Sequence, residues 1–71
     1  VEAALTALER ATSLDPGHGP ALYWLAEAWL RRGDPAQARE YHRLARLRLA
    51  GRSAWQERLA EQRRRIRARL P

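Results

Sequence analysis

The side chains able to do chemistry at neutral pH are few. His18 and His42 could ligate a metal or carry a proton, but they stand 24 positions apart, one in a Gly-rich stretch and one in a helical pattern. No local spacing gathers further ligands around either. Ser13 and Ser53 have no neighbouring base and suit helix boundaries. No Gly-rich phosphate loop, nucleophile elbow or paired-carboxylate arrangement occurs, so no enzymatic activity, cofactor, metal site or small-molecule substrate is expected. Cysteine is absent, which excludes a disulfide framework and thiolate ligation.

What remains is ionic. All 14 basic residues are Arg, a bias that fits a GC-rich coding sequence and leads us to expect a bacterial source; against eight acids they give a net charge of +6. Residues 1–34 carry three Arg and five acids, residues 35–50 four Arg and one acid, and residues 51–71 seven Arg and two acids. Arg63, Arg64, Arg65, Arg67 and Arg69 form a cationic end that could meet nucleic acid, an acidic partner or an anionic membrane surface. The bland alternative is a solvated terminal helix, because these residues wind all round the helix axis and cations favour a helix C-terminus. Glu61 can pair with Arg65 at i+4, a contact contributing about 0.3–0.5 kcal/mol.

The elements that must position these groups are helices. Apolar residues Val1, Ala4, Leu5, Leu8 and Ala11 make a stripe over Glu2–Ser13, stopped by Asp15-Pro16-Gly17. A second helix runs from Pro20 to Arg32 and closes at Gly33; a third, capped by Asp34, runs from Pro35 to about Leu49, with Gly51 at its end. Ser53 opens a fourth, in which Gln56 completes an S-x-x-Q capping box and Trp55, Leu59, Ile66 and Leu70 form a narrow stripe. The longest apolar run, Ala21 to Ala26, is far short of a bilayer span, so the chain reads as soluble; compartment is left open between cytoplasm and cell envelope. The expected class is all-α.

Leu25-Ala26-Glu27 returns 34 residues later as Leu59-Ala60-Glu61, and the same offset joins Ala4 to Ala38, Ala11 to Ala45 and Gly17 to Gly51. Small residues recurring at helix crossings, with turns between, indicate stacked helical hairpins rather than a bundle cored by large side chains. In the phase set by Asp15-Pro16, Leu22, Leu25, Ala26, Trp29, Gly33-Asp34, Ala38 and Ala45 resemble the tetratricopeptide repeat family. His42 stands where that family usually has an aromatic or large apolar residue, and Ala50 where Pro is common. The resemblance implies antiparallel helical hairpins stacked as a short right-handed solenoid of four helices. Residues 1–18 then form the second helix and turn of a preceding repeat, 19–52 one full repeat, and 53–71 a basic capping helix.

The resemblance further implies a protein-interaction or scaffold module binding a peptide or partner protein in a concave groove lined by first helices. Tyr23, Glu27 and Leu30 are the candidate groove residues, with Trp24 beside them; Tyr23, Trp24 and Leu30 are as readily explained as packing on helix one or helix four. A carboxylate clamp of the kind some family members use is not expected, since Tyr23 and Glu27 occupy the matching places and no Lys exists. Helix one lacks a preceding partner helix, so Val1, Leu5 and Leu8 could join a second copy, in a homo-oligomer or a purely structural solenoid. Nucleic acid or an anionic surface on the basic helix is the less favoured alternative.

Overall fold

Proline and glycine set the joints of the chain. In the computed structural model, which describes residues 2–71, four helices follow one another: α1 (Glu2–Leu14), α2 (Gly19–Arg32), α3 (Pro35–Arg48) and α4 (Ser53–Arg69). Val1, expected at the head of the first apolar stripe, lies outside the described residues.

The α2–α3 joint follows the sequence closely. Gly33 adopts φ 95°, in the left-handed region where a Cβ is disfavoured, and the N–H groups of Gly33 and Asp34 donate back to the carbonyls of Leu30 and Trp29. Asp34 then accepts from the Gln37 amide at 3.1 Å, which caps α3. At the other end of the hairpin, a Cβ on Gly19 would lie 2.6 Å from the Leu49 side chain. The start of α2 can therefore approach the end of α3 only because position 19 has no side chain. Helix α2 starts at Gly19, one residue before the expected Pro20, which occupies the second helical position where its missing donor still costs nothing.

The α3–α4 joint corrects the expected capping box. Arg52 rather than Ser53 is the N-cap, and no side chain caps α4. The Gln56 amide instead donates to the carbonyls of Leu49, at 2.9 Å, and Arg52, at 3.1 Å. It thus ties the end of α3 to the start of α4. The α3 helix stops at Arg48 with Leu49 as its cap, and Gly51 turns the chain at φ 82°.

Ala26, Ala38 and Ala45 are wholly buried, as the recurrence of small residues predicts, and they let neighbouring helices cross closely. The α2–α3 hairpin is the most extensive contact, with α1 against α2 and α4 against α3 on either side. Leu25, at 0 % exposure, packs with Leu5 and Ala28, while Leu22 and Tyr23 pack with Ala45, Leu49 and Leu59. Leu30, Ala38 and Ile66 close the third cluster. The result is an all-α stack of hairpins measuring 32 × 30 × 15 Å, a slab rather than a globe. No described helix is long and apolar enough to cross a membrane.

Candidate functional site

Helix α2 has two flanks, and they differ. Toward α4, Tyr23, Glu27 and Leu30 are 5 %, 7 % and 3 % exposed. Leu30 meets Ile66, and the Tyr23 ring stands edge-on to Trp55 with centroids 5.3 Å apart. Tyr23 and Leu30, expected to line an open groove, are instead roofed by α4, while Glu27 reaches α4 and also lines the α1–α2 trough. The correction has a physical cause: α4 brings Gln62, Arg65 and Ile66 onto that face, and each finds a complementary partner there.

Gln62 is the centre of the roof. Fully buried, it donates through Nε2 to the Tyr23 carbonyl at 3.0 Å and to Glu27 Oε1 at 3.4 Å. Those two acceptors fix the amide orientation, so Oε1 faces His42 Nδ1 at 2.7 Å and must accept from it. His42 thereby carries a proton on Nδ1. Its Nε2 is buried with no partner among the described residues. Burial holds the imidazole pKa below its ordinary value, and Arg46 and Arg63 push the same way against the opposing Gln62 hydrogen bond.

Arg65 grips the Glu27 carboxylate with both guanidinium nitrogens, one of them at 3.1 Å from Oε2. That hydrogen bond lowers the Glu27 pKa despite the desolvation that opposes it. Tyr23 adds a long contact to Glu27 at 3.5 Å, and its phenol pKa is raised, chiefly by burial. The expected Glu61–Arg65 pair does not form: Glu61 pairs with Arg64, and Arg65 turns inward to Glu27, whose buried carboxylate attracts a cation more strongly.

The flank toward α1 is open. A largely apolar trough of about 450 Å³ runs between α1 and α2 over Ala4, Ala7, Leu8 and Ala28, with Glu27 and Arg31 also lining it. Trp24 stands at its wall, 44 % exposed. Leu5, expected to remain partly uncovered, is buried against Leu25 and Ala28, which leaves Leu8 half-buried beside the trough.

The basic end is likewise redistributed. Arg64 and Arg65 are paired with Glu61 and Glu27, whereas Arg63 and Arg67 join Arg39, Arg43 and Arg46 of α3 along the α3–α4 seam. Arg69 remains exposed in the last turn of α4. His18 is exposed, 3.9 Å from Asp15, and no group of three potential metal-ligating residues exists among those described.

A hairpin with small residues at every crossing, a left-handed Gly joint and a terminal polar helix is the geometry of one repeat family, and residues 1–62 match the family model for the tetratricopeptide repeat. The chain belongs to the tetratricopeptide repeat family. Comparison with curated proteins and with solved structures finds no significant match. Tetratricopeptide repeats in general serve protein–protein interaction and scaffolding and are typically not catalytic. In this tetratricopeptide chain the residues that organise the α4 flank include one that the sequence pattern concealed. Gln62 lies three residues after Leu59 and four before Ile66, on the apolar stripe itself, and that register was the available signal.

Proposed function

We propose that the chain is a protein-interaction module whose partner lays an amphipathic helix in the α1–α2 trough, against Trp24. The observation that carries this reading is the contrast of Trp24, 44 % exposed, with the buried Tyr23 beside it. An aromatic side chain at the wall of an apolar trough supplies contact area at small rotamer cost. The small side chains of Ala4, Ala7 and Ala28 allow a helix backbone to come close. In this reading residues 1–18 act as the second helix and turn of a repeat, 19–52 as a full repeat, and 53–71 as the cap that closes the opposite flank.

A display library of amphipathic helical peptides tests it. A peptide selected on the unaltered chain should lose about tenfold or more in affinity for Trp24→Ala and for Ala7→Glu, as expected of a buried anchor and of a charge placed under it. Equal binding to both variants would put the docking surface elsewhere. Sedimentation over a concentration series reads the homo-oligomer alternative: a dimer that Ala7→Glu dissociates makes a second copy the occupant.

A further inference from the structure

Helices α3 and α4 run antiparallel, and their outer seam is a continuous groove. Two adjoining clefts of about 350 and 320 Å³ share His42, Arg46 and Arg63. One extends to Arg39, Arg67 and Leu70, the other to Ala50, Gly51 and Gln56. From position 39 to position 50 the seam is about 16 Å long at the α-helical rise, room for about five residues of extended chain.

Five guanidinium groups border this seam, from Arg39, Arg43 and Arg46 on α3 and Arg63 and Arg67 on α4. Arg43 has Glu40 at 3.5 Å; no carboxylate among the described residues lies within ion-pair distance of the other four. Between them lies an apolar floor at Ile66 and Leu70. Beside it sits His42, 5 % exposed, with its Nε2 unpartnered.

We infer that this seam binds an acidic segment of a partner protein, with carboxylates on the guanidinium rows and an apolar side chain on the Ile66–Leu70 floor. The length favours a peptide over an isolated anion, which would fill one cleft and leave the other. The floor favours it over nucleic acid, because no aromatic side chain lines the seam to stack a base. Arginine's planar fork suits carboxylates in two-point contact. The seam shares no lining residue with the α1–α2 trough.

His42 gives the site a reporter. Burial chiefly depresses its protonation and Arg46 and Arg63 add to that, while Gln62 on α4 holds Nδ1 and links it to Glu27 of α2; Arg39, Arg43 and Arg67 add positive charge nearby. A carboxylate bound between Arg46 and Arg63 offsets their field, so His42 takes up its proton at higher pH in the complex. Binding in turn strengthens as pH falls through that range.

The test uses a fluorescein-labelled nine-residue peptide of Asp and Glu with a central Leu, titrated by anisotropy, with a ten-nucleotide uridine RNA in parallel. Arg46→Gln/Arg63→Gln should weaken the peptide by about tenfold or more, as loss of two charge-assisted contacts predicts. The charge-matched Arg10→Gln/Arg58→Gln should change it by no more than about twofold, the screened long-range part. Replacing the central Leu by Gly should cost about threefold or more, the worth of a partly buried apolar group. Circular dichroism verifies that both variants stay helical, and the imidazole NMR signal of His42 should titrate at higher pH with peptide present. Equal weakening by the two double variants, an unmoved His42 titration, or RNA binding tighter than the peptide with the same dependence on Arg46 and Arg63 each overturns the proposal.

Discussion

The two flanks of α2 solve the same burial problem in opposite ways. Toward α4 the interface contains Glu27, Gln62, His42 and Arg65, each tied to another by hydrogen bonds. Toward α1 it contains Leu5, Leu8, Ala28 and a half-open trough, and the ion pair joining the two helices, Arg32 with Glu2 at 3.3 Å, is solvent-exposed. Polar networks cost desolvation and repay it only in one arrangement, so they fix how two elements sit. Apolar troughs accept any surface of the right shape. The difference teaches that the α4 flank is fixed in one register, while the α1 flank keeps an open trough.

The comparison breaks most sharply at Gln62. Gln62→Leu keeps the apolar stripe of α4 but strands the His42 Nδ1 donor, the Tyr23 carbonyl and one hydrogen bond to Glu27, a loss of about 3 kcal/mol. A chain this short is only marginally stable, so urea denaturation should show a midpoint lowered by a large fraction, or no cooperative transition. If Gln62→Leu were as stable as the unaltered chain, the network would be dispensable and the two flanks alike. Arg65→Ala leaves Glu27 without its cation; because Arg65 is itself 43 % exposed and water can partly replace it, the cost is smaller, about 2 kcal/mol. Adding Glu27→Gln should recover part of that loss, which a double-mutant cycle reads directly.

Acid acts on the same flank. The folded pKa of Glu27 is depressed, so its stabilisation is present above the ordinary carboxylate value and is lost as pH falls through the lower, folded one. His42 is also depressed, but as a base: it stays neutral in the fold while the unfolded chain takes up a proton below about pH 6.5. Stability therefore starts to fall at the histidine step, before the carboxylate step. His42→Asn, which offers an amide donor near the place of Nδ1, should flatten stability between about pH 6.5 and 5 and leave the lower transition. An unchanged slope there would remove His42 from the account.

The joints and crossings were legible in the sequence because their causes are local. Asp34, Gly33 and the three buried alanines act through backbone geometry and side-chain size within one hairpin. The α4 flank was not legible, because periodicity assigns faces to a helix without saying what covers them. Tyr23, Glu27 and Leu30 share a face in either case, and only the pairing of Glu27 with Arg65, 38 residues away, decides between groove and interior. Gln62 escaped for a related reason: a polar residue on an apolar stripe looks like an interruption until its three partners converge from α2 and α3. The Arg-rich end misled in the same sense, since charge counted along one helix cannot show that Arg63 and Arg67 face Arg39, Arg43 and Arg46 while Arg65 turns away.

The smallest expected effect on stability is the sharpest test of the contrast. Trp24 stands T-shaped to Tyr23, with centroids 5.0 Å apart, yet remains 44 % exposed. Truncation to alanine forfeits that partial packing and leaves no buried polar group stranded, so it should cost no more than about 1 kcal/mol, a melting shift of roughly 4–8 °C at most. The selected helical peptide should nevertheless lose most of its affinity. A residue whose removal the fold hardly registers and the partner does is placed for recognition. If Trp24→Ala instead destabilised the chain as much as Gln62→Leu, the ring would belong to the core, and the α1 flank would be as closed as the α4 flank.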